Sequence, residues 1–494
     1  MNFRPPKERS MWDTWIFPWK EEYHLFFLES AESPSDRVGH WVGKDLVHWE
    51  ERPSIPITTG VPGDWNEHGG ILTGMVVHDQ GRFYLYVGAM PQRAQQNGLF
   101  ISEDLDTWTP HPGNPVMVAA GPHYLDRVVP SLFHDQLDFR DPFIWYRPED
   151  GKYHALLHGR LPVWDLGHTG AVFAHMRSSY LVNWEHLPPF DAPTGLYEKT
   201  EVPDLFELDG KHYLLFTTRS RGGIRLQTDG RQNADGSFYF MSDSWDGPFR
   251  RPENFLVAGA EKGVPGPYCA RTIAVGDDRV LYHHLTGRRP ALGSPKKVRT
   301  RPDGTLLLEY LPLLKSLERE VVTESSTPLP GFSCQDWGDW KQSGDVVTGK
   351  ATSVGSSCRI MQGMADLHFS CDIRFSTAWG AGIALRVSEG EGVWLFLDRT
   401  ADRIQVGRAS YRPYCGWSEL SGGDTARWVM EPNRGYQLRC FARDEHFEFY
   451  IDDRWVAALA PDQVASSGDV ELFVERGEVS FSNIRVATIE PFPW

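Results

Sequence analysis

Cysteine is scarce in this chain: there are six in 494 residues, and none precedes Cys269. Cys334, Cys358, Cys371, Cys415 and Cys440 complete the set, and their spacing matches neither a zinc module nor a redox pair. A disulfide scaffold is therefore excluded, and buried free thiols in a cytoplasmic protein are expected. Positive charge is in deficit as well. Fifty Lys and Arg against 66 Asp and Glu leave a formal charge of -16, which argues against nucleic acid or an anionic membrane surface as partner. Long apolar runs are also missing. No segment approaches the roughly 20 residues of a membrane span, and the opening "MNFRPPKERSMWDTW" lacks the apolar run of a secretory signal. A neutral ligand fits what remains. Aromatic residues, by contrast, are plentiful, with 19 Trp and 13% aromatic content, and flat rings serve both core packing and stacking on sugars.

The length exceeds what one hydrophobic core usually supports, so a large and a smaller domain are expected. Short strand-like runs recur through the first 300 residues: "EEYHLFFLES" from Glu21, "GRFYLYVGA" from Gly81, "GKYHALLHG" from Gly151, "GKHYLLFTT" from Gly210 and "DRVLYHHLT" from Asp278. A second element follows in phase, ending at Trp49, Trp108 and Trp184, with a degenerate copy from Ser242. Radially repeated sheets of this kind make a β-propeller, and five copies predict five blades over residues 1–312. Leu313 to Glu320 reads as a short helix, and the Ser/Thr/Pro-rich segment to residue 332 as a linker. Period-two alternation over many short runs then predicts a β-sandwich over 333–494. The fold class is thus all-β, a five-bladed propeller followed by a sandwich.

Three acids share one phase of the repeats. Asp13 lies 10 residues before Tyr23, Asp141 lies 12 before Tyr153, and Glu201 lies 11 before His212. On innermost strands they converge at one mouth of the central channel; the matching windows around Leu72 and Cys269 carry no acid. Paired carboxylates at a concave mouth suit glycoside hydrolysis, in which one protonates the leaving oxygen and the other attacks or activates water. A third acid, kept ionised by Arg140, helps stabilise the charge of the transition state. Asp204 competes with Glu201 as proton donor, but three positions apart on a regular strand they face opposite sides. His40, His48, His68, His123, His134, His154, His158, His168 and His212 match no compact ligand motif, so no metal is expected. Trp19, Trp65 and Trp164 are as well suited to packing as to sugar stacking.

"FRDP" (Phe139 to Pro142), "EVPDLF" (Glu201 to Phe206), "GHWVGKDLVHWE" (Gly39 to Glu50), "LTGMVV" (Leu72 to Val77) and "LKSLE" together resemble the signature segments of glycoside hydrolase family 32. The resemblance implies a propeller and sandwich acting on β-fructofuranosides with retention of configuration and without a cofactor. It implies that Asp13 is the nucleophile, Asp141 the transition-state stabiliser and Glu201 the acid/base, with Arg140 positioning its neighbours. Trp12, Trp15, His40, Trp41, Leu72 and Thr73 fall where that family builds its sugar pocket. The "MWDTWIF" context of Asp13 is similar to the Trp-Asp-Ser-Trp style of family 68, and Leu28 and Val202 stand where family 32 commonly has Gln or Asn and Cys. The implied partner is a neutral disaccharide or oligosaccharide, and the implied assembly a monomer or homodimer. Two alternatives stay open. One is a family 43-like arabinofuranosidase or xylosidase, or a fructosyltransferase, on the same propeller; the other is a non-catalytic carbohydrate-binding protein.

Overall fold

The computed structural model describes residues 9–30, 35–67, 70–128, 136–163, 169–193, 195–220, 234–287, 290–324, 328–335, 338–412, 416–431 and 433–490. His68, His134, Trp164, His168 and Cys415 lie outside the described residues. The chain is all-β, a β-propeller joined to a sheet-rich C-terminal region.

Four antiparallel sheets follow one another. The first holds β1 (Ser10–Trp19), β2 (Glu22–Ser30), β3 (Arg37–Gly43) and β4 (Glu50–Pro56). The second holds β5 (Leu72–Asp79), β6 (Arg82–Ala89), β7 (Gln96–Ser102) and β8 (Thr109–Pro110), with β9 (Met117–Val118) also on β7. The third holds β10 (Arg140–Arg147), β11 (Lys152–Arg160), β12 (Ala171–Ser178) and β13 (Glu185–Leu187). The fourth holds β14 (Glu201–Leu208), β15 (Lys211–Thr218), β16 (Ala234–Ser242) and β17 (Leu256–Glu261). Two-residue turns join first to second strands in the first, second and fourth sheets. Gln80–Gly81 and Asp209–Gly210 each put both central residues at positive φ, the geometry whose twist matches the flanking strands and which Gly supplies without strain.

The last repeat is built differently. Its strands are β18 (Pro267–Val275), β19 (Asp278–Leu285), β20 (Ala291–Leu292), β21 (Lys296–Thr300) and β22 (Leu306–Glu309). They hydrogen-bond onward into the C-terminal strands, with Glu309 opposite Arg454. The first strands touch in ring order, β1 on β5, β5 on β10, β10 on β14, β14 on β18 and β18 on β1. Hydrogen bonds tie the last repeat to its neighbours: the Ile16 N–H donates to the Tyr282 hydroxyl at 3.0 Å, and Thr272 donates from its N–H and its hydroxyl to Asp204 at 2.8 and 2.7 Å. Arg271 of β18 reaches across the channel to the carbonyls of Gly74 and Pro142.

The expected helix over Leu313–Glu320 is a short 3-10 turn, Pro312–Leu317, and Glu318–Thr323 is a strand paired with the final strand Gly468–Ile489. Two features divert it. Pro312 starts the turn, and the β-branched run that follows finds an open strand edge, where Glu318 is held by Arg485 at 2.6 and 2.7 Å and by His368 at 2.5 Å. Part of the expected linker is therefore sheet. The C-terminal strands enclose an apolar cluster including Leu367, Phe369, Ile383, Leu395, Phe449 and Phe481. A second cluster crosses between the two regions, packing Phe441, Tyr450 and Trp455 with Tyr282, Leu308 and Leu314.

Candidate active site

Every first strand breaks its ladder at the same place. Register shifts fall between Trp12 and Thr14, Leu72 and Gly74, Arg140 and Phe143, Glu201 and Asp204, and Tyr268 and Arg271. Each bulge frees residues from pairing and re-aims them. The backbone is strained at four of the five, with Asp13 at φ 29°, Asp141 at 61°, Val202 at 49° and Cys269 at 51°; such left-handed non-glycine residues cost about 1–3 kcal/mol each and persist where the surroundings over-determine them. The aligned positions in the first strands are thus Asp13, Thr73, Asp141, Glu201 with Val202, and Tyr268 with Cys269.

The freed side chains meet. Thr73 donates its hydroxyl to Asp13 Oδ2 at 2.6 Å, and His284 Nδ1 lies 3.3 Å from Asp13 Oδ1. Arg140 is buried and donates to Glu201 at 2.5 Å, with its Nε 3.4 Å from Asp141; Asp138 and Gln95 brace the same guanidinium, each at 2.8 Å. The Val202 N–H donates to Asp141 at 3.2 Å. Lys199 Nζ sits 2.9 Å from Glu201 Oε1, and the Tyr268 hydroxyl donates to Oε2 at 2.9 Å. Arg219 in turn donates to that hydroxyl at 2.9 Å. A cavity of about 710 Å³ opens beside the acids, lined among others by Trp12, Arg219, Asp235, Lys262 and Tyr268. Trp12 is 38% exposed there, with its ring edge against His284.

Two acids in one site carry opposite electrostatics. Burial pushes Asp141 up to about 7, with Glu201 and Asp13 adding to the push and Arg140 opposing it. Burial also disfavours ionised Glu201, but Lys199 and Arg140 outweigh it and hold that carboxyl well below the usual range. Because both acids share one guanidinium, they titrate as a pair. His284 is lowered by burial, against the pull of Asp13.

Asp13, Thr73, Arg140, Asp141 and Glu201 are brought together, with Trp12 at the cavity wall. Others of the sequence-derived set are not joined to the acids by any contact among the described residues. Trp15 is buried between the first two sheets, stacked on Phe26. His40 stacks on the same Phe26 and meets the His24 ring nitrogen at 3.0 Å, while Trp41 packs edge-on against Phe27. Leu72 is half-buried beside the backbone of Gly88. Asp204 turns to Thr272 of the neighbouring first strand. Sequence reasoning passed over Lys199, Tyr268, Cys269 and His284. Lys199 was findable as a cation two residues before Glu201, just ahead of its strand; Tyr268 and Cys269 sit in the fifth repeat's window, in phase with the acids.

Comparison with known proteins agrees with this geometry. Residues 13–256 match the family model for the glycosyl hydrolases family 32 N-terminal domain. The chain carries a family 32 domain. An acid beta-fructofuranosidase, vacuolar, of Arabidopsis thaliana is 30% identical over 153 residues, 29% of this chain and 21% of that protein. The sucrose-6-phosphate hydrolase of Escherichia coli is 27% identical over 271 residues, 50% of this chain and 52% of that one. The matched segments thus span about half or less of these curated relatives. The structure of sucrose-6-phosphate hydrolase from Lactobacillus gasseri superposes with a TM-score of 0.70 at 15% identity, covering 99% of this chain and 92% of that chain; this likeness is one of fold. The resemblance in the signature segments is borne out.

Proposed function

We propose that the protein is a retaining glycoside hydrolase acting on β-fructofuranosides such as sucrose, fructo-oligosaccharides or fructans. The observation that carries the reading is the set of bulged first strands, three of which aim an acid at one channel mouth around a shared Arg140. Asp13 is the nucleophile: Thr73 holds its Oδ2, and Oδ1, which faces His284, attacks the anomeric carbon. Glu201 protonates the leaving oxygen as the glycosidic bond breaks. It then takes a proton from the water that displaces Asp13. Asp141 stabilises the positive charge that develops on the ring. Burial favours the protonated form of Asp141 while Lys199 and Arg140 favour ionised Glu201, so a sugar that draws Arg140 toward Asp141 shifts the proton of the pair toward Glu201.

The β18–β22 repeat is proposed to be the fifth blade, supported by its bulge at Cys269 and by its bonds to Asp204 and Ile16. The division at 1–312, 313–332 and 333–494, with a two-layered sandwich in the last part, belongs to the same proposal, as does a monomer or homodimer in the cytoplasm. The free thiols among the described residues fit that setting.

Product analysis tests the reading. Wild type and Asp13→Asn are incubated with sucrose, inulin-type and levan-type oligosaccharides, and aryl arabinofuranoside and xyloside. Fructose release by wild type alone is the expected result. Pentose release alone would replace the fructoside assignment with a pentosidase on the same propeller, and turnover retained by Asp13→Asn would remove the nucleophile from that position.

A further inference from the structure

The fifth first strand offers a thiol where its neighbours offer acids, and the thiol does not stand alone. Donor atoms of Asp13, Cys269 and His284 all lie within 4.8 Å of one another. Cys269 and His284 are buried at 2% and 1% exposure, and the thiol donates toward the Asp13 carboxylate. Neither ring nitrogen of His284 has a hydrogen-bond partner of good geometry among the described residues, although Nδ1 faces Asp13 Oδ1 at 3.3 Å. A buried imidazole without hydrogen bonds is costly unless something else engages it. Beside that carboxylate its ring neighbours are Trp12 and Tyr268.

We propose that Asp13, Cys269 and His284 form a binding site for a thiophilic divalent cation, Zn2+ above all, which caps the Asp13 carboxylate and shuts the site. Carboxylate, thiolate and neutral imidazole are a ligand set that zinc accepts, and three protein ligands with one open position are the pattern of an accessible zinc site. Around a tetrahedral ion, ligand atoms at bond lengths of about 2.0–2.3 Å lie roughly 3.3–3.6 Å apart. The Asp13 to His284 separation of 3.3 Å already meets that spacing, and small side-chain rotations bring the sulfur in. Binding exchanges the thiol proton for the metal: the S–H bond breaks, the proton leaves to solvent, and the thiolate donates its pair to Zn2+. The strained turn at Cys269, φ 51°, keeps the sulfur aimed at Asp13. Hard cations such as Mg2+ gain little from thiolate and imidazole, so they leave the site open. Sequence spacing conceals the set, because 256 residues separate Asp13 from Cys269.

Cobalt substitution tests it on the full chain. Co2+ titrated into the protein is expected to give a thiolate-to-metal absorption band saturating at one equivalent, with proton release, and Zn2+ is expected to displace it. Cys269→Ser abolishes the band and weakens Zn2+ by about 100-fold or more, beyond the 10- to 100-fold typical of groups outside the coordination shell. His284→Gln, which keeps the sulfur, weakens it as well. The paired thiols Cys334 and Cys358, 2.7 Å apart, are the rival site, so the band should persist in Cys334→Ser/Cys358→Ser. Absence of any band, or a band lost only in that double variant, overturns the proposal. The inhibition arm rests on the assignment of Asp13 as nucleophile: Zn2+ should raise the apparent KM for fructoside. Stoichiometric Co2+ binding through Cys269 without any effect on turnover would keep the site and discard that assignment.

Discussion

Two buried arginines, one in each region, carry opposite duties. Arg140, beside the channel, serves Asp138, Asp141 and Glu201, and these acids outweigh its burial and hold its charge firmly. Arg386, in the C-terminal sheets, also sits at a ladder break with positive φ. Its charge meets Asp366 at 2.9 Å and the carbonyls of Ala365 and Asp444, and burial lowers it. Arg386 lies within its ladder break and Arg140 at the edge of one, and both guanidinium groups are satisfied. The difference is what they satisfy: Arg386 closes a structural gap with mostly neutral acceptors, while Arg140 divides one charge among Asp138, Asp141 and Glu201 and favours the ionised form of each. A bulge alone is therefore no sign of function. A bulge whose neighbours are mutually repelling acids is one.

The largest expected effect is on the propeller side. Asp13→Asn lowers kcat by roughly 10⁴-fold or more while thermal unfolding stays near wild type, because the amide keeps the Thr73 contact. Next comes the arginine pair itself. Arg386→Leu leaves Asp366 uncompensated and costs about 3–5 kcal/mol of stability by denaturant titration, with kcat per folded molecule unchanged. Arg140→Lys reverses the pattern, lowering kcat about 10²- to 10³-fold. Equal damage to rate from both would erase the distinction drawn above.

Asp141 gives a smaller effect with a definite sign. Its folded value of about 7 lies above the ordinary 3.8, so the stability tied to its proton is full below about pH 4 and lost as pH rises through 7. At 1.36 kcal/mol per unit, that loss is at most about 4 kcal/mol. Asp141→Asn escapes it, so its Tm relative to wild type should be higher at pH 8 than at pH 4; a pH-independent difference would contradict the burial argument. The smallest expected change comes from Lys199→Met. Removing that cation lets Glu201 hold its proton to higher pH, so the alkaline limb of kcat/KM moves upward while plateau kcat falls less than about tenfold.

Much of this was legible beforehand. Recurrence of aromatic runs after Gly or charged turns marked the sheets, and the common phase of Asp13, Asp141 and Glu201 marked the acids. The bulges were not legible, since a ladder break is a property of pairing and Asp13 reads as an ordinary strand residue. Nor was the ionisation order, which depends on where Arg140 and Lys199 come to rest. Trp15, His40 and Trp41 show the opposite error: aromatic and ring residues near a signature segment looked like pocket, but alternation on β1 and β3 turned them into the packing between sheets. Pro312–Leu317 misled because a run rich in Leu reads as helix while its packing partners lie far along the chain.

The seam between the two regions has a temporal meaning. Lys296 and Glu448 form an ion pair at 3.2 Å with both side chains buried, His283 joins the same ammonium at 2.9 Å, and the next residue, His284, flanks Asp13. The ribosome finishes residues 10–300 long before Glu448 emerges. During that interval Lys296 lacks its carboxylate and the last repeat lacks the C-terminal strands it bonds to. The nascent chain therefore carries all three acids before the strands that seat the last repeat exist, which places the docking of His284 beside Asp13 late in folding.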